Sequence, residues 1–191
     1  AMDSVRCRTE LNLNHDLPAG RSRRTPFHWP LEFPEIFIRD DGGFNAIVGN
    51  PPFLGGQRIT GSYGAVYREY LVKNIGMGTL GSADLVGYFF LHAYELLTNG
   101  GCFGLLAVNT IAEGDTRQVG LERLITTEAE IYEAYPDEVW PGKAAVMTSC
   151  VHVHKGAWTG VRRLAGHTVT HISAFLSDRE DWSPRPIKSN Q

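Results

Sequence analysis

The chain has 191 residues, of which 42% are hydrophobic and 20% charged, with a formal net charge of −3. That size and mixture fit one soluble domain or part of one and exclude disorder of the whole chain. The slightly acidic balance excludes a free-standing nucleic-acid binder of the basic kind, so any such affinity has to come from a local patch or from another segment.

No apolar run reaches the roughly 20 residues of a membrane span, and no signal peptide is visible. The three cysteines, Cys7, Cys102 and Cys150, are far apart and form no CxxC pair. That usage fits a reducing, cytoplasmic compartment rather than a disulfide framework.

Residues 1–40 read as an irregular arm. Arg6, Arg8, Arg21, Arg23 and Arg24 alternate there with Asn, Asp and Pro, as in a solvated arm or one that contacts phosphates. Aromatic residues at 28–34 supply material to pack on a domain edge. Phe44–Gly49 is a short apolar run, expected as a buried parallel strand. It stops at Asn50-Pro51-Pro52-Phe53, because two prolines cannot continue a sheet ladder. A glycine-rich loop is expected over 54–61, and Val66, Tyr67, Tyr70 and Leu71 then have helical spacing.

Ser82 is the expected N-cap of a helix over 83–98. Leu85, Val86, Phe89, Phe90, Ala93, Leu96 and Leu97 form its buried face, and Gly100 its terminator. A second buried strand over 102–108 completes a parallel strand–helix–strand unit. Asp115 and Gln118 have capping-box spacing at the start of a helix running to Ile125. Residues 130–135 and 146–154 read as further strands, joined by a loop over 136–143 that carries Trp140-Pro141-Gly142. One more strand is expected over 169–176, before a polar end.

Asn50-Pro51-Pro52-Phe53 carries the chemistry. It follows the carboxyl end of a strand, the edge of an open α/β sheet at which ligands gather. An exocyclic amine conjugated with its ring is a poor nucleophile. Two acceptors bound to its two N–H groups pull it towards tetrahedral geometry and aim its lone pair. The side-chain carbonyl of Asn50 and the backbone carbonyl of Pro51 are such acceptors. The prolines stiffen the loop, which lowers the ordering cost of holding them. Phe53 offers a flat face for a planar group, a contact of roughly 1–3 kcal/mol per base in single-strand systems.

Asn-Pro-Pro-aromatic at this place resembles the catalytic motif of class I methyltransferases that act on planar amines. The stretch FNAIVGNPPFLGGQRITG, residues 44–61, and HWPLEFPEIF before it are similar to large type IIG-like restriction–modification adenine methyltransferases. DLVGYF at 84–89 followed by LLTNGG at 96–101, and VWPGK at 139–143, match further segments of those enzymes. The likeness runs from about residue 27 to about residue 160.

It implies a partial Rossmann-like α/β sheet, the carboxyl-terminal half of a class I methyltransferase domain. Its strands are parallel except for one antiparallel strand, with 146–154 inserted beside 102–108. It implies S-adenosylmethionine as cofactor, with Asn50, Pro52 and Phe89 on its wall. Asn50, Pro51, Pro52 and Phe53 become the catalytic loop, and Phe53 and Trp140 the two faces against an extruded adenine in DNA. The same loop type also serves RNA guanine and protein glutamine, while the LGGQRITG context favours DNA adenine. Many relatives have Asp where this chain has Asn45, a position remote from the reacting atoms.

The relatives place a glycine-rich cofactor loop upstream, and nothing before Phe44 supplies one. The expected organisation is an arm at 1–40, the half-domain at 41–160, and a linker or the start of a target-recognition region at 161–191. The cofactor-binding half is then a required partner. Without it, the strand at 44–49 has a bare edge that either pairs with a second copy or is covered by the arm.

A catalytically silent remnant is the rival reading from another class. His152, His154, His167 and His171 lack the close Cys or carboxylate partners of a metal site. Gly55-Gly56-Gln57 and Gly61-Ser62 lack the spacing and following Lys of a phosphate loop.

Overall fold

A computed structural model describes residues 2–15, 17, 19–25, 27–79, 81–140 and 146–179. Its helices and strands run in this order: α1 (Met2–Asn14), α2 (Trp29–Glu32), α3 (Pro34–Phe37), β1 (Phe44–Gly49), α4 (Gly56–Tyr63), α5 (Ala65–Tyr70, continued by a π turn over Leu71–Ile75), α6 (Leu85–Leu96), β2 (Leu97–Val108), α7 (Gly114–Arg117), α8 (Arg123–Thr126), β3 (Ala129–Val139), β4 (Met147–Lys155), β5 (Arg162–Leu164) and β6 (His167–Val169).

They form one six-stranded sheet in the order β1-β2-β4-β3-β5-β6. β1 and β2 are parallel, and β4 lies antiparallel between β2 and β3. This is the mixed α/β sheet expected, with the inserted strand in its expected place. The hairpin of β5 and β6 lengthens it, and β6 adds a second reversed strand.

The core lies on one face of this sheet. Along β2, Phe103, Leu105 and Ala107 point into it. Their neighbours Cys102, Gly104 and Leu106 face the other way and stay half-buried, as the two-residue period of a strand requires. Val151 and Val153 of β4 and Ile131 and Ala134 of β3 continue the same layer.

α6 covers it. Its long apolar run buries most of its girth, and the Phe90 ring meets Phe103 edge-on at 5.4 Å between centroids. Burying such aromatics fully is worth roughly 1.5–3 kcal/mol each. The segment from α7 to α8 adds Val119, Leu121 and Leu124 to the layer. On the opposite face, Trp158 stacks on Tyr132 at 4.5 Å and lies beside His154.

Several local expectations are corrected. The amino-terminal segment is not irregular: it contains α1, α2 and α3. Arg24 ties it down by donating to the carbonyl of Leu13 at the end of α1 and stacking over the Tyr67 ring. The stretch after Leu54 is a helix rather than a loop, because Ile59 is fully buried and anchors it despite two glycines.

The cap of α6 is Asp84, not Ser82, and the helix ends at Leu96. Gly100, with φ of +76°, turns the chain inside β2 instead of capping the helix. Four residues of β2 stand there opposite Asn45 alone, between the pairings Phe44–Leu97 and Ala46–Cys102. α7 is preceded by Glu113 with no side-chain cap. Asp115 instead accepts the N–H of Ser82 at 2.5 Å.

Among the described residues, no ladder forms after Val169. Ile172, Ala174 and Leu176 are buried in strand-like alternation, but the chain turns at Leu176, whose φ is +51°. Phe175 lies over the guanidinium of buried Arg117 at 4.1 Å. The core therefore runs on past residue 160, through Leu176.

β1 is the sheet edge, the bare edge expected of it, and so is less buried than its apolar run alone suggests. It pairs with β2 on one side only, and Val48 is 89% exposed. Trp29, Phe33 and Phe37 pack edge-on against the ring of Phe44. That aromatic cluster covers the start of the strand, while Asn45, Ala46 and Val48 stay exposed.

Candidate functional site

The ladder fixes where the candidate loop begins. Gly49 pairs with Leu105, and at Asn50 the chain leaves the sheet. Pro51 is buried, while Asn50, Pro52 and Phe53 are exposed. Beyond the prolines the chain is fastened again. The N–H of Leu54 donates to Asp84 Oδ1 at 3.2 Å, and the Leu54 carbonyl accepts from the N–H of Leu85 at 2.9 Å. Gly56 lies so close to the backbone of Ser82 that an added Cβ would sit 2.3 Å from its carbonyl group. The loop is therefore held at both ends, and its interior is stiffened by proline.

A cavity of about 460 Å³ opens beside it, between the edge of β1 and α6. Asn50, Pro51, Pro52 and Phe89 share its wall, so the three residues expected to border a cofactor are brought together. Phe89 is 39% exposed, although it was expected on the buried face of this largely buried helix.

Trp29, Phe44 and His92 also line this cavity and were not foreseen in that role. The signal for His92 was available: Phe89, His92, Ala93 and Leu96 follow the i, i+3, i+4, i+7 spacing of one helix face. Nothing in the sequence joins Trp29 to that face.

A second cavity, of about 430 Å³, lies on the other side of the sheet and also reaches Asn50. Its far wall holds Cys102, Tyr132, Cys150 and His152. Burial, and then Cys102, push the Tyr132 phenol up to about 12. Burial pushes the Cys150 thiol up as well. Both groups are therefore neutral at neutral pH. The His152 ring rests on Gly104, where a Cβ would come within 2.7 Å of its Cδ2.

Among the described residues, no cluster of three or more His, Cys, Asp or Glu could hold a metal. His167 belongs to β6, and His171 lies beyond that strand.

Phe53 and Trp140 are not joined in either cavity. Phe53 is 38% exposed at the carboxyl end of β1. Trp140 follows the carboxyl end of β3, and its N–H donates to the Val146 carbonyl at 3.0 Å. Both lie along the same sheet edge, since β1, β2 and β3 run in one direction. Three strand steps separate them, on the order of 14 Å, which the two rings and a planar group between them would have to span. The rest of that aromatic-Pro loop, residues 141–145, lies outside the described residues.

The chain matches the family model of the Eco57I restriction–modification methylases over residues 8–135, about two thirds of its length. No curated protein matches it. Among solved structures it resembles the type IIL restriction–modification enzyme MmeI in complex with DNA. There the identity is 19% and the TM-score 0.58, over 71% of this chain and 20% of that one.

The EcoKI M protein, of a type I restriction enzyme, aligns at 16% identity and a TM-score of 0.40, over 60% of this chain and 21% of that one. A Listeria monocytogenes protein described as a class I S-adenosylmethionine-dependent methyltransferase aligns at 12% identity and 0.45, over 64% and 37%. The first two likenesses show the scale: this chain spans about a fifth of each enzyme.

Proposed function

The chain belongs to the Eco57I restriction–modification methylase family, and from that premise we propose that it carries the amine-binding half of a DNA adenine-N6 methyltransferase active site. The observation that carries this reading is the stiff Asn50–Phe53 loop at the carboxyl end of β1, which shares one cavity wall with Phe89.

In this reading Asn50 accepts one N–H of the adenine amine through its side-chain carbonyl, and Pro51 accepts the other through its backbone carbonyl. Held by two fixed acceptors, the nitrogen presents its lone pair away from the base plane. The proton released after methylation leaves along one of these hydrogen bonds to water. Phe53 supplies a stacking face for the extruded base, and Trp140 the opposite one once DNA draws that edge together.

S-adenosylmethionine supplies the methyl group when bound. The cavity fits one side of an adenosyl-sized group: Phe89 is an exposed aromatic wall, and Asn50 and Pro52 border it. Residues outside 41–160 provide the other wall with its glycine-rich loop. DNA is the macromolecular partner and the cytoplasm the place of action. By itself the chain binds S-adenosylmethionine weakly, because it holds only one wall.

The test is methyl transfer by the full-length protein from radiolabelled S-adenosylmethionine to DNA, RNA and protein, with the methylated product identified by mass spectrometry. N6-methyladenine in DNA is the expected product. Methylated guanine in RNA, methylated glutamine, or no transfer at all would overturn the proposal.

A further inference from the structure

We propose that Asp84 is a positioning residue, which holds the Asn50–Phe53 loop in register by joining Leu54 to the first turn of α6. The inference rests on the function proposed for that loop.

An ordinary N-cap uses its side-chain oxygen for one orphan N–H of the helix. Asp84 does this with Oδ1, which accepts from Val86 at 2.9 Å. The same oxygen also accepts the N–H of Leu54, the residue next to Phe53. Leu54 answers through its own carbonyl, which takes the N–H of Leu85. Helix and loop therefore satisfy each other: two orphan donors of α6 find acceptors, and the loop backbone is bound on both its N–H and its C=O.

Asp84 is itself immobilised. It is 8% exposed, and its N–H donates to the hydroxyl of buried Thr116 at 3.0 Å. The close seat of Gly56 on Ser82 fastens the next two residues to the same stretch. Upstream, the ladder of β1 ends at Gly49. Only Asn50 to Phe53 lie between these fixed points, and two of the four are prolines. The directions of the Asn50 and Pro51 carbonyls thus depend on where Leu54 is held.

Capping and positioning can be separated. In Asp84→Ser the hydroxyl remains a good cap for Val86, but its oxygen lies one bond nearer the backbone, out of reach of Leu54. Asp84→Asn keeps a carbonyl oxygen at the original position and serves both donors.

The experiment is amide hydrogen exchange at Leu54 in this chain, paired with kcat and KM of the same variants in the full-length protein. In Asp84→Ser, Leu54 should exchange at least about tenfold faster while Val151 and Val153 are unchanged, as for local opening. Its kcat should fall by about 10- to 100-fold with KM for DNA little altered, the cost of about an ångström of misplacement. Asp84→Asn should restore both.

Unchanged exchange at Leu54 in Asp84→Ser overturns the clamp. So does a wild-type Leu54 that exchanges as freely as exposed Gly55, a result that needs no variant to fold. Faster exchange with an unchanged kcat overturns the positioning role. If Leu54 loosens but wild-type protein methylates no amine, the functional reading fails, and the role assigned to Asp84 fails with it.

Discussion

β1 and β2 lie side by side, run in the same direction and are both rich in apolar residues, yet they have opposite fates. β2 has a strand on each side and α6 against one face, so Phe103 and Ala107 are shut away. β1 has a strand on one side, and Val48 stands 89% exposed. Apolar content sets what a strand can bury, but its neighbours decide what it does bury. The contrast is functional as well. Ala46 to Asn50 line cavities on both faces of the sheet, so the uncovered strand leads straight into the candidate loop.

The largest effect that can break this contrast is on stability. Phe103→Ala removes a buried ring that meets Phe90 edge-on, at a cost of about 3–5 kcal/mol. Val48→Ser should stay within about 0.5 kcal/mol, as for an exposed site. Urea unfolding of both variants measures the difference. Equal losses would mean that the edge is covered in solution.

Next comes a dissociation of stability from function. Asn50 is exposed and carries no core packing, so Asn50→Ala should unfold with the wild-type midpoint. In the full-length protein it should lose at least about 100-fold in turnover, by analogy with removing one preorganised hydrogen-bonding group from an active site. Near-normal methyl transfer, measured with radiolabelled cofactor, would remove Asn50 from the proposed chemistry.

The bare edge gives a smaller, concentration-dependent effect. Unpaired N–H and C=O groups beside exposed apolar residues are a template for another strand. The arm meets this strand through the ring of Phe44. Sedimentation at rising concentration should therefore reveal a two-fold dimer of the isolated chain, and Val48→Lys should shift it towards monomer. A wild-type monomer at high concentration contradicts that pairing.

What was legible in the sequence follows the same division. Elements defined by their own residues were readable: the run of β1, the breaking prolines, the apolar helix α6 and the strands β3 and β4. Even the reversed position of β4 followed from resemblance. Features set by distant partners were not. Asp84 sits two residues after a plausible cap, and its second bond goes to Leu54, thirty positions away. Asp115 and Gln118 have capping-box spacing, but Asp115 is drawn instead to Ser82. The helix α4 is hidden by its glycines until the burial of Ile59 is known. Likewise, the wall formed by Trp29 depends on how the arm folds back.

The smallest prediction sharpens the comparison within one face of the sheet. Near β1 that face is open, but towards β3 Trp158 covers Tyr132. Burial comes first among the causes that raise the Tyr132 phenol from its ordinary 10.0 to about 12, followed by Cys102. A raised value means that the fold favours the neutral phenol. Its contribution to stability is complete below pH 10 and is lost as pH rises from there through about 12, because the unfolded chain ionises first. Titration of phenolate absorbance should show one tyrosine ionising near pH 12, absent in Tyr132→Phe. Trp158→Ala uncovers the phenol and should move that step down towards 10, while Cys102→Ala should move it less. If Trp158→Ala leaves the step in place, Trp158 is not what keeps this part of the face dry, and the distinction between its covered and open parts fails.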